Sequence, residues 1–166
     1  MVIWVVGLSG SGKTYFSQLL YSKLKNTYKN LFLIDGDSFR DVMNNDLGFC
    51  YDDREKNGWR LAKLSKWLDG QNIHVIASVL SNYPEQQIFN RENNENYYQI
   101  YLKADYDVVS KRDVKKIYKN QANIVGMDIP FNEPISSDRV IINNFKSVDA
   151  EKIIEEVIKD LRPRMS

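Results

Sequence analysis

The segment WVVGLSGSGKTYF, residues 4–16, limits the possible folds of this chain more tightly than any other stretch. An apolar, β-branched run breaks into alternating glycines and serines, and Gly7-Leu8-Ser9-Gly10-Ser11-Gly12-Lys13-Thr14 fits G-x-x-x-x-G-K-[ST]. The order predicts a strand, a tight loop and then a helix. Glycines at 7, 10 and 12 let the backbone turn so that N–H groups around Ser9 and Ser11 converge on one anion, and the helix start adds its positive dipole end. The loop is therefore expected to cradle phosphate. Lys13 would reach the β- and γ-phosphate oxygens of a nucleotide, and Thr14 would offer its hydroxyl to Mg²⁺.

The rest of the chain supplies the sheet that such a loop needs. LFLID (31–35), IHVIASVLS (73–81), YYQIYLKA (97–104) and RVIIN (139–143) are short, rich in β-branched or aromatic residues, and separated by segments long enough for helices. The expectation is an α/β protein of the P-loop NTPase type, with a five-stranded parallel sheet flanked by helices. SQLLYSKLK places Leu19, Leu20 and Leu24 on one helical face. REKNGWRLAKLSKWLDG does the same with Leu61, Leu64 and Leu68 and stops at Gly70, with Trp59 and Trp67 expected in the core or at its rim. His74 is read as a core histidine without chemistry.

A loop of this kind specifies a nucleotide but not a reaction. Many P-loop ATPases carry an acid at the end of the HVIASVLS-type strand, where this chain offers Ser78 and Ser81, so a motor or switch protein is disfavoured. The acids follow the second strand instead, in IDGDSFR. At a strand's carboxyl edge, Asp35 and Asp37 would stand near the phosphate cradle, one able to take a proton from a hydroxyl and the other to hold a Mg²⁺-bound water. The competing role for Asp37 is to cap the helix that begins at SFRDVM. Arg40, Arg54 and Arg60, spread around Phe49, point to a pocket for an anionic molecule that carries a base.

Bulk properties exclude other classes. The length, 166 residues, fits one domain spanning 1–166. Lys plus Arg number 23 against 22 Asp plus Glu, so no basic field points to nucleic acid. The lone Cys50, expected to be semi-buried, rules out an internal disulfide. No apolar run approaches the roughly 18 residues of a membrane span, and no basic region precedes the apolar N-terminal stretch, so a cytoplasmic location without a membrane partner is expected.

Taken together, GLSGSGKT, DGDSFR, LGF with DDREKN, KRDVKKIYK and GMDIPFNEP resemble the adenylyl-sulfate (APS) kinases in order and nearly in spacing, from about Ile3 to Pro134. The resemblance implies transfer of the γ-phosphoryl group of Mg·ATP to the ribose 3′-hydroxyl of a nucleotide whose 5′-phosphate carries a second acid group. It implies Asp37 as base, Asp35 with Thr14 on the metal side, and Arg40, Arg54 and Asn57 as the acceptor clamp. Phe49 becomes one face of a base sandwich, and Ser81 lies on the acceptor side. A lid at about 112–135 would bring Arg112 to ATP and Lys115 or Lys119 to the phosphates or the acceptor. A homodimer is expected.

The departures from that family lie on the acceptor side. ANIVG stands where the lid normally has Lys-Gly-Phe-Thr-Gly, so Ile124 or Val125 replaces an aromatic residue, and LSNYPEQQ stands where Ile-Ser-Pro-Phe and a basic residue are usual. The expected acceptor is therefore cytidine 5′-diphosphoramidate, as in APS-kinase-like enzymes of capsule phosphoramidate synthesis, with adenylyl sulfate as the alternative. A kinase for a sugar acid or shikimate would not need Phe49. A nucleotide sensor would not need Asp35, Asp37 and Lys13 together.

Overall fold

The computed structural model describes residues 1–80, 83–112, 123–134, 136–143 and 149–165. The five expected strands form: β1 (Val2–Val6), β2 (Leu31–Asp35), β3 (His74–Val79), β4 (Tyr97–Lys103) and β5 (Arg139–Ile142). They make one parallel sheet in the order β2-β3-β1-β4-β5. Six helices belong to the described residues: α1 (Lys13–Leu24), α2 (Gly36–Val42), α3 (Tyr51–Asp69), α4 (Pro84–Asn93), α5 (Tyr106–Arg112) and α6 (Ala150–Leu161).

The central strand dictates the layers. β1 is buried along its whole length, and its alternating side chains feed two cores. Ile3 and Val5 pack with Phe16, Leu20 and Leu24 of α1 and with Ile154, Val157, Ile158 and Leu161 of α6. Val2, Trp4 and Val6 pack on the other face with Leu61, Ala62 and Leu68 of α3, while Phe89 of α4 lies against the same cluster. In α6 the buried positions 154, 157, 158 and 161 fall on one helical stripe, and Asp149 caps the helix by accepting from the Lys152 N–H at 3.2 Å.

This topology also fixes where a ligand can sit. The chain leaves β1 toward β2, whereas it leaves β3 toward β4 on the other side of β1, so the two connections part above the carboxyl ends of adjacent strands. That is the crevice in which open α/β sheets bind ligands. The phosphate loop follows β1 and opens into it.

Two expectations on packing are corrected. Trp67 is 63% exposed, because it lies off the buried stripe of α3 that contains Leu61, Ser65 and Leu68; Trp59 does reach the rim and meets the Phe89 ring edge-on at 5.4 Å. Cys50 is exposed, at the end of the loop that leads into α3. His74 is half-buried against the Tyr28 ring, and burial lowers its pKa.

Leu161 is fully buried between α6 and the sheet. Leu161→Ala is expected to cost about 2–5 kcal/mol through lost burial and the cavity left behind. Urea unfolding should show a lower midpoint with an unchanged slope, and the folded variant should still bind ATP.

Candidate active site

At the end of β1 the chain turns through Gly10 (φ 78°) and Gly12 (φ 95°), backbone angles that residues with a Cβ rarely adopt. Gly7 is needed for space: a Cβ there would come within 2.5 Å of the Leu102 carbonyl oxygen on β4. The Ser11 N–H donates to the Leu8 carbonyl at 3.1 Å, and Asn143, just past β5, donates its side-chain amide to the Ser11 carbonyl at 3.0 Å. Lys13 begins α1 and donates through Nζ to the Leu8 carbonyl at 2.7 Å, which holds its ammonium against the loop.

The capping role left open for Asp37 belongs to Asp35. Its Oδ1 accepts from the N–H groups of Asp37 and Ser38 at 3.1 and 3.2 Å, and its Oδ2 accepts from Thr14 Oγ1 at 2.8 Å. Asp37 stands exposed in the first turn of α2, lining the same cleft as Lys13 and Thr14. The sheet register sets Asp35 beside Ser78. The acid that β3 lacks at its end is thus present in space, contributed by the neighbouring strand.

Opposite the phosphate loop, two arginines flank Phe49. Arg40, buried on α2, donates to the carbonyls of Leu47 and Gly48 at 3.1 and 3.0 Å, and its guanidinium lies 4.7 Å from the centre of the Phe49 ring. Arg54 on α3 donates to the Phe49 carbonyl at 2.7 Å and the Asn123 carbonyl at 3.0 Å, with its guanidinium 5.3 Å from that ring. Burial lowers the pKa of both; the charge of Arg40 lowers Arg54 further, while Asp37 and Asp53 act in the opposite direction on Arg40. An anion bound beside Phe49 would offset both the desolvation and the repulsion.

Arg60 does not join them. It forms a two-pronged ion pair with Asp46, at 2.7 Å for each contact, and does not line the cleft. Asn57, one helical turn on from Arg54, does line it; the residue is 6% exposed and its Oδ1 has no hydrogen-bond partner among the described residues. Ile124 and Val125 are buried and form part of the wall where an aromatic residue would be usual, with the Ile124 N–H donating to Asp128 at 2.9 Å.

Ser9 also lines the cleft, while Ser81, Lys115 and Lys119 lie outside the described residues. Arg112 ends α5, and of the segment assigned as a lid the structure describes 123–134 together with that end. Sequence reasoning missed Tyr83 as a wall of the cleft. Its ring is buried, its hydroxyl donates to the Tyr51 carbonyl at 3.0 Å, and burial pushes its pKa up to about 12. Being the first aromatic residue after β3 does not by itself tell a cleft wall from a loop side chain. Among the described residues, no group of three or more His, Cys, Asp or Glu side chains forms a metal cluster.

Two measurements test this geometry. Arg54→Ala is expected to raise the acceptor KM about tenfold or more, since a hydrogen bond from a charged group is worth roughly 1.5–3 kcal/mol, whereas Arg60→Ala should stay within about twofold. Comparable rises in the two variants would return Arg60 to the pocket. Keeping Tyr83 protonated contributes stability that is complete below its ordinary pKa of 10.0 and is lost as pH rises toward about 12. The alkaline loss of stability in thermal melts should therefore be shallower in Tyr83→Phe.

Comparison with known proteins agrees with this architecture. A family model described as adenylylsulphate kinase matches residues 1–142. A cytidine diphosphoramidate kinase of Campylobacter jejuni is 38% identical, over 96% of this chain and 95% of that protein. An adenylyl-sulfate kinase of Oceanobacillus iheyensis is 31% identical, over 98% of this chain and 84% of that protein. The solved structure of the Mycobacterium tuberculosis APS kinase CysC, in complex with AMPPNP and APS, superposes with a TM-score of 0.84 at 25% identity, covering 97% of this chain and 96% of that one. With its phosphate loop, parallel sheet and cleft in place, the chain belongs to the adenylylsulphate kinase family and is an ATP-using P-loop kinase.

Proposed function

We propose that this kinase phosphorylates the ribose 3′-hydroxyl of cytidine 5′-diphosphoramidate. The observation that carries the reading is the cleft itself, in which the Lys13 loop and the exposed carboxylate of Asp37 face an arginine-flanked aromatic ring and an aliphatic wall at Ile124 and Val125. Asp37 takes the hydroxyl proton as the 3′-oxygen attacks the γ-phosphorus of ATP, and the bond from that phosphorus to the β–γ bridging oxygen breaks to release ADP. Lys13 stabilises the charge that spreads onto the phosphates.

Thr14 and Asp35 are the residues that would hold Mg²⁺. Their hydroxyl and carboxylate already meet at 2.8 Å, an oxygen-only pair suited to a hard cation that keeps most of its waters. When bound, Mg²⁺ would supply charge neutralisation to the phosphates of the nucleotide.

Three features favour the cytidine compound. Its relative in Campylobacter jejuni matches this chain over nearly the full length of both proteins. A pyrimidine has less ring area to cover, which fits Phe49 on one face and Ile124 or Val125 on the other. The Oδ1 of Asn57, without a partner among the described residues, fits a donor, and a phosphoramidate tail carries an amine where a sulfate tail offers only acceptors. The adenylyl-sulfate reading is supported by the fold-level match to an APS complex and by the Oceanobacillus relative. A cytoplasmic homodimer completes the proposal, and sedimentation of the purified chain checks the dimer.

ADP release measured with each acceptor at matched ATP and Mg²⁺ decides between them. The expected kcat/KM is about two- to tenfold higher for cytidine diphosphoramidate, the range an absent aromatic contact would give. Efficient turnover of adenylyl sulfate alone would reverse the acceptor assignment and leave the kinase standing. Lys13→Ala should lower kcat by roughly 10²–10³ with either acceptor. Asp37→Asn should lower kcat by about 10²–10⁴ with little change in the KM for ATP; a variant that keeps its turnover would remove Asp37 as base.

A further inference from the structure

The face of α3 that carries Arg54 and Asn57 is held by its backbone from α4. Tyr83 donates through its hydroxyl to the Tyr51 carbonyl at 3.0 Å, and Gln86, one turn later, donates through Nε2 to the Glu55 carbonyl at 2.9 Å. The two acceptors are themselves one turn apart on α3, so two neighbouring side chains grip successive turns of one helix. Gln86 is fully buried and lies directly against Gly58, where a Cβ would come within 2.3 Å of its Oε1. A helix needs no side chain to satisfy its interior carbonyls. Committing a buried glutamine to one is a constraint on where the helix sits.

That position bears most directly on the acceptor side. The first turn of α3 also fixes the loop bearing Phe49, through the Gly48 N–H donating to Asp53 at 2.9 Å and Arg54 donating to the Phe49 carbonyl at 2.7 Å. The phosphate loop hangs from other elements, namely β1, α1 and Asn143. We propose that Gln86, supported by Tyr83, is a positioning residue for the acceptor: it sets the placement of α3 and with it Arg54, Asn57 and Phe49. The inference rests on the acceptor-clamp reading of Arg54 and Asn57 given above. A shift of about 1 Å in groups that orient a substrate can cost on the order of 10²-fold in rate.

The test is steady-state kinetics of Gln86→Met, which keeps length and removes the donor, with Tyr83→Phe as a milder second variant. Both are assayed with cytidine diphosphoramidate and with adenylyl sulfate, alongside Arg54→Ala. The expected result is an acceptor KM raised at least about fivefold in Gln86→Met and a few-fold in Tyr83→Phe, with the KM for ATP within about twofold of wild type. Gly58→Ala should raise the acceptor KM as well, and by less in a Gln86→Ala background, because the added methyl acts through Gln86; an equal effect in both backgrounds means that the methyl itself obstructs the cleft. The proposal is overturned if Gln86→Met lowers only the melting temperature, or moves both KM values together, while Arg54→Ala raises the acceptor KM. If Arg54→Ala has no effect on that KM, the clamp reading has failed and takes the inference with it.

Discussion

One carboxylate joins the two halves of the cleft. Asp35 accepts from Thr14 on the phosphate-loop side and from the N–H groups of Asp37 and Ser38 on the side of α2, so a single residue ties the start of α1 to the start of α2. The two helices follow β1 and β2, and β3 lies between those strands. Because Asp35 satisfies the first amides of α2, Asp37 is not the cap and lines the cleft. Which acid caps the helix and which stands exposed in the cleft is a consequence of which one meets the helix amides.

The acceptor half depends on charge placed where it is costly. Arg40 and Arg54 lie on the same aromatic ring, both partly desolvated, and each spends donors on main-chain carbonyls. Those bonds shape the loop at 47–49 and bring Asn123 against α3, which means that the arginines build the pocket as well as charge it. The fields of Asp37 and Asp53 offset part of the cost at Arg40, whereas Arg54 has mainly the like charge of Arg40 beside it. A polyanionic ligand, as proposed for the acceptor, would supply what the fold leaves unbalanced.

How much of this could be read from the sequence follows from the range over which each feature is determined. The strands, their alternation with helices and the phosphate loop are local patterns, and the strands appear as expected at 2–6, 31–35, 74–79, 97–103 and 139–142. Arg60 and Trp67 failed for one geometric reason. At about 100° per residue, positions six apart on a helix are about 120° off the same face. Arg60 is six beyond Arg54 and Trp67 six beyond Leu61, whereas Asn57, Gly58 and Leu61 stay within about 60° of Arg54. Helical phase would have found this, and residue type alone did not.

Other features were illegible because they depend on what is adjacent in the sheet or between helices. The end of β3 reads as lacking an acid until the register sets Ser78 beside Asp35. Tyr83 reads as a loop aromatic until α3 is placed beneath it. The phosphate loop is thus encoded in consecutive residues, while the wall proposed for the acceptor is assembled from α2, the loop at 47–49, α3, the start of α4 and the segment around Ile124. Of these, the segment around Ile124 also packs on Leu8 of the phosphate loop. A chain can therefore keep every fixed position of its phosphate motif and still depart from its family at the wall proposed for the acceptor.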